Sequence, residues 1–148
     1  MIPEKLPKAK VKEINKKINE RFDANVNFSL LFRKGNWIYL YTGKIIGIKA
    51  YSIGLSIGKY VNEFIPTIEG SQLIDIKKNF FNVRSDEEAW KWIRGEDITN
   101  VENINCEKGY VIVKRGEDVL GCGLYDGKII RNRLAKSRKI KSKNKKEI

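Results

Sequence analysis

The 148-residue sequence predicts an α+β fold, a small N-terminal α/β subdomain followed by a small β-barrel. Three observations carry that prediction. The chain opens on an apolar stripe at three- and four-residue spacing. Glycine-punctuated, strand-like runs fill most of the remainder. The cations crowd at one end.

Residues 9–22 set Val11, Ile14, Ile18 and Phe22 on one face of a helix, with Lys and Glu around the rest. The stretch VNFSLLFRKGNWIYLY reads as two strands joined by Lys34-Gly35-Asn36, and Thr42-Gly43-Lys44 turns the chain into a third, IIGIK. In YSIGLSIGKYV, Ile53 and Ile57 stand four apart with glycines between them, which predicts a short helix or helical turn packed closely on the sheet, with Gly58 as one option for its C-cap. Pro66 breaks any helix and predicts an extended link. After the strand NFFNVR, Ser85 and Glu88 form a capping box. The helix it starts turns Ala89, Trp92 and Ile93 inward, and Gly95 stops it. GYVIVKRGEDVLGCGLYDGKIIRNRL then reads as an antiparallel meander with turns at Arg115-Gly116 and Asp126-Gly127. Trp37, Tyr39, Trp90 and Trp92 all lie in apolar periodic runs and are expected in the core. The predicted division is an N-terminal α/β subdomain over 1–74, a barrel over 75–136, and a basic, disordered tail over 137–148.

Charge narrows the function. The net value is +12, and residues 131–148 hold nine cations against one acid, a local +8. Such a concentrated field attracts a polyanion, and nucleic acid binds by releasing condensed counterions. Because these cations begin inside the last expected strand, a mere solubilising tail is the lesser reading. The chain has no histidine, which removes the serine and cysteine triads built on one and the commonest metal ligand. Two cysteines, Cys106 and Cys122, cannot close a structural zinc site; they are expected as small buried hydrophobes. The acid pairs Glu87-Glu88, Glu96-Asp97 and Glu117-Asp118 fall at helix starts or turns, where carboxylates cap and solvate. GCGLYDG misses the dinucleotide spacing by one residue, and a strand follows it where a helix is required. No cofactor and no metal is expected. Neither an apolar run of membrane-spanning length nor a secretory leader is found, so the expected location is the cytoplasm. With 21 Ile, 22 Lys and one Gln, the composition leans toward a hyperthermophilic host.

DEEAWKWIRGEDI followed by GYVIVKRGEDVLGCGLYDGKIIRNRLAKSR resembles the PUA-like RNA-binding module at the C-terminus of RsmF-type rRNA cytosine-5 methyltransferases. Trp92, Ile93, Arg94, Gly95 and Glu96 match the family's helix end; Leu120, Gly121 and Gly123 match its glycine pair, and Gly127 its turn. Arg131, Asn132, Lys136 and Arg138 fit much of its cationic segment, with Ala135 where proline is usual. Upstream, GLSIGKYVNEFIPT is similar to the stretch that precedes the module in those enzymes. The layout is also similar to that of ribosome-assembly proteins that carry a PUA domain. The Rossmann domain and the paired Pro-Cys and Thr-Cys motifs of the enzymes have no counterpart, because Cys106 follows Asn105 and Cys122 follows Gly121. The resemblance thus implies RNA gripping without catalysis.

The residues expected on RNA are Arg94, Tyr125, Arg131, Asn132, Arg133, Lys136, Arg138, Lys139 and Lys141. Arg131 and Arg133 share one strand face, and the guanidinium fork matches phosphate. Asn132 either reads a base or ribose hydroxyl or satisfies a backbone group at the barrel end. Tyr125 either stacks on a base or packs across its hairpin. Gly121 and Gly123 allow a second backbone to approach, from this chain or from a nucleic acid. The leading expectation is a non-catalytic protein binding structured RNA, ribosomal or transfer, in ribosome assembly or RNA modification. The alternative is an adaptor or targeting subunit for a separately encoded RNA methyltransferase or assembly factor.

Overall fold

The computed structural model describes residues 3–41, 54–101 and 104–133, and the chain divides into two units, Met1–Lys77 and Lys78–Ile148. In the first, Pro7 opens α1 (Lys8–Phe22), its carbonyl accepting from the amides of Lys10 and Val11. Pro7 is the N-cap, extended at φ −66 and ψ 156, and offers no side-chain capping bond. Asp23, in the left-handed region at φ 51, closes the helix. Val11, Ile14, Ile18 and Phe22 are buried, as their spacing predicts. Beside this stripe, Asn19 accepts from the amide of Val26 at 2.7 Å and donates to its carbonyl at 3.0 Å. Asn15 does the same with Phe28, at 3.1 and 2.9 Å. Two side-chain amides thereby hold an extended segment alongside the helix as a neighbouring strand would.

The sheet of this unit runs in the order β1 (Glu4–Lys5), β2 (Leu31–Lys34), β3 (Trp37–Tyr41), β4 (Gly54–Tyr60) and β5 (Phe64–Pro66), all antiparallel. The β2–β3 hairpin turns at Gly35, whose φ of 62 suits glycine. Leu31 pairs with Leu40 and Leu40 with Leu55, while Ile38 pairs with Gly58, so one face supplies the core. Leu31, Ile38, Ile57 and Phe64 are buried with Leu6 and the α1 stripe. The expected strand IIGIK lies outside the described residues.

Two expectations fail in this unit. The stretch around Ile57 is a strand, β4, and not a helix, and Gly58 is no C-cap. A Cβ on Gly58 would stand 2.6 Å from the carbonyl oxygen of Ile65 and from the Phe64 ring. Its glycine serves close strand packing, which four-residue spacing alone cannot distinguish from a helical face. Pro66 likewise sits in edge strand β5, where its missing N–H costs no ladder bond, and a short helix α2 (Ile68–Leu73) follows at once. Thr67 caps that helix, accepting from the amide of Gly70 at 2.8 Å while donating to the carbonyl of Ser56 at 2.8 Å.

The second unit pairs β6 (Phe80–Asn82) in parallel with β7 (Gly109–Arg115), then continues antiparallel through β8 (Asp118–Tyr125) and β9 (Ile130–Asn132). Between β6 and β7 lies α3 (Asp86–Ile93). Ser85 caps it by accepting from the amide of Glu88 at 3.1 Å, and Glu88 reaches back to the amide of Arg84 at 2.8 Å. Trp92 is fully buried among Phe81, Val83, Ala89, Ile98, Val101, Val111, Val113 and Ile130. The expected barrel is not closed among the described residues. The four strands form an open sheet, and beyond β9 only one bridge, Ile98 to Ile130, continues it. Closure needs a β6–β9 pairing, and β6 instead makes its ladder bonds on one side, to β7.

Candidate nucleic-acid interface

The β8–β9 turn organises the edge where the cations begin. One oxygen of Asp126 accepts from the amides of Lys128 and Ile129, both at 2.9 Å, and the other meets Arg131 at 3.2 Å. The two backbone bonds, helped by Arg131, hold this carboxyl below its ordinary value. Arg131 is exposed and shares its face with neither Ile130 nor Asn132. Arg133 is exposed and, like Lys128, makes no ion pair among the described residues. Lys108 also stands at this turn, with its Cε 2.9 Å from where a Cβ on Gly127 would be. Sequence reasoning missed Lys108 and Lys128. Their signal was register: Gly109 pairs with Tyr125, which brings the start of β7 to the hairpin end.

Asn132 fills the second of its two expected roles, satisfying backbone groups. Its side-chain amide donates to the carbonyls of Trp92 at 2.8 Å and Glu96 at 3.1 Å, and its backbone amide donates to Asp97 at 2.7 Å. The two side-chain bonds join carbonyls on either side of Arg94, at and just after the end of α3, to β9. The Trp92 carbonyl also accepts from the amide of Gly95 at 2.9 Å. Arg94 itself is mostly covered and paired with Glu96 at 2.8 Å. Tyr125 packs against the core and donates to the carbonyl of Gly127 at 3.2 Å, the hairpin-packing alternative. Lys136, Arg138, Lys139 and Lys141 lie outside the described residues, as does the whole expected tail.

The glycine pair is explained by the chain itself. A Cβ on Gly123 would meet Ile130 at 2.5 Å and Trp92 at 2.9 Å. The close neighbours are therefore α3 and β9. Cys122 is buried beside it, Cys106 is partly covered with its thiol donating to the carbonyl of Phe80 at 3.4 Å, and neither is in a disulfide. Glu87 pairs with Lys91 at the helix surface, Asp97 serves Asn132, and Asp118 opposes Arg115 across a turn. Most of the described acids of this unit are thus engaged in caps, turns and surface pairs.

Charge separates within the unit. Residues 78–130 carry eight cations against ten acids, a net −2, so attraction for a polyanion arises from the segment that begins at Arg131. Residues 1–77 hold thirteen cations against seven acids, a net +6.

Residues 82–140 match the family model described as the methyltransferase RsmF PUA domain. No curated protein matches the chain. The matched span begins in β6 and takes in α3, the meander and the cationic segment as far as Ile140. It leaves out the upstream stretch around β4 and β5, whose similarity rests on the Gly54-Leu55 to Gly58 run and on Phe64 and Pro66, with Thr67 where serine is usual. No helix among the described residues is long and apolar enough to cross a membrane. The C-terminal part of this chain is a PUA-like module of the RsmF methyltransferase type.

Proposed function

We propose that the chain is a non-catalytic, cytoplasmic RNA-binding protein that takes structured RNA, ribosomal or transfer, in ribosome assembly or RNA modification. The observation that carries the reading is the coincidence of a PUA-domain match with nine cations that start inside β9. Arg131 and Arg133 lead that segment from an ordered strand end, so the fold fixes where the field begins. The Arg131–Asp126 pair is exposed, and such pairs contribute little. Its arginine can exchange a carboxylate for a phosphate at small cost and gain a charge-assisted, two-pronged contact.

Binding to a folded RNA hairpin, measured against salt, tests this. Removing one cation that meets a phosphate flattens the slope of log affinity on log salt by roughly 0.7–0.9. The double variant Arg131→Ala, Arg133→Ala should weaken binding and flatten the slope by about 1–2, with circular dichroism unchanged. A wild-type protein that binds no structured RNA favours the adaptor reading, and an unchanged slope in the double variant moves the site elsewhere.

A further inference from the structure

The outer face of the N-terminal sheet has a composition that its packing does not require. Register places Lys5, Phe32, Tyr39 and Ser56 in one row across β1 to β4, and Lys34, Trp37, Lys59 and Ile65 in the next row across β2 to β5. Paired residues share a face, and this face is opposite to the one that buries Leu31 and Ile38. The rows therefore carry three aromatic rings and three lysines, and no carboxylate.

Trp37 is 40% exposed although it lies in the middle of a sheet. The ammonium of Lys59 stands 4.6 Å from its ring centroid. Tyr39 leans across Gly54, where a Cβ would touch it at 3.4 Å. Phe32 is its direct cross-strand partner. Side chains two apart on a strand stand roughly 7 Å from one another, so Trp37 and Tyr39 offer successive platforms with lysines on either side. A solitary exposed tryptophan needs no explanation. Rings in register, bordered by cations on a unit of net +6, match a ligand with flat apolar faces and a negative backbone.

We propose that this face is a stacking surface for single-stranded RNA, distinct from the C-terminal cationic segment. Unpaired bases lie on Trp37 and Tyr39, and Lys5, Lys34 and Lys59 meet the phosphates. Every base has a π-face, so the surface tolerates any sequence. A duplex keeps its bases stacked internally and does not present those faces.

The test uses the full chain and a labelled oligouridine of about ten nucleotides, within the range of known single-strand sites. Oligouridine should quench tryptophan fluorescence in the wild type, and Trp37→Phe should abolish that quench. Trp37→Ala should weaken binding by roughly 5- to 150-fold, the range found for stacked aromatics, and Trp37→Tyr should recover most of it. Lys59→Ala should flatten the salt slope by about 0.7. Because Trp37 is exposed, each variant should melt with the wild type. A wild type that binds the hairpin but not oligouridine overturns the stacking surface and leaves the C-terminal reading intact. An affinity for oligouridine unchanged in Trp37→Ala, or a quench that survives in Trp37→Phe, overturns it as well.

Discussion

Trp92 and Trp37 show how one residue type divides between scaffold and surface. Trp92 is fully buried, and its indole N–H donates to the carbonyl of Leu120 at 3.1 Å, so the ring both fills the core and fixes α3 against β8. Truncation there leaves a cavity and an unpaired carbonyl. Trp92→Ala should cost roughly 3–5 kcal/mol, read as a lower urea midpoint of the C-terminal unit. Normal stability with loss of RNA binding alone would instead make Trp92 a contact residue. The sequence predicts a core position for Trp37 as well, and the reason it lies outside is in its surroundings. In NWIYLY every residue after Asn36 is apolar or aromatic, so a period of two has no polar partner to mark the outer face. Ile38 takes the core and Trp37 is left outside.

At the scale of elements, α1 is anchored to β4 by a hydroxyl–carboxylate bond from Tyr60 to Glu13, with Lys10 beside both. Burial, and then the bond to Glu13, push the Tyr60 phenol up to about 12 from its ordinary 10.0. The contribution is full below pH 10, where the phenol is protonated in folded and unfolded chains alike. It is lost as pH rises through 12, because the unfolded phenol ionises first. Stability of the N-terminal unit should therefore fall between those values in the wild type, and Tyr60→Phe should remove that component of the fall in urea titrations at stepped pH. The helix α1, its buried stripe, the hairpin at Gly35, the Ser85 cap and the C-terminal meander were all legible, since each rests on local spacing or a local turn. Strand β4 was not, because Gly54, Gly58 and two isoleucines four apart satisfy a helix as well as a strand. Helix α2 escaped for the opposite reason: six residues hold no full apolar period, and only Thr67 announces them.

At the scale of the molecule, the end-loaded charge was legible and so was the module type. The +6 of residues 1–77, most of it in α1, was hidden because the −2 of residues 78–130 offsets it in the +4 that precedes Arg131. The site was legible in part: Arg131 and Arg133 are exposed as expected, whereas Asn132 and Tyr125 are committed internally by contacts made across 40 residues of sequence in one case and two in the other. The asparagine ladder beside α1 bears on the order in which the molecule assembles. It joins residues only 7 and 13 apart, while β1 meets β2 through pairs such as Glu4 with Arg33. Loop-closure entropy rises with the length closed, so the ladder is cheaper to close than the β1–β2 pairing, with the β2–β3 and β4–β5 hairpins and the α2 cap closing shorter loops still. It delivers the chain to the start of β2 in the direction the sheet needs. Asn19→Ala should then slow folding in stopped-flow measurements and leave the unfolding rate almost unchanged, the mark of a contact present at the barrier. Faster unfolding with unchanged folding would place the ladder after it. Two side-chain amides on a lysine-rich helix would thus set the starting point for a sheet whose strands they never join.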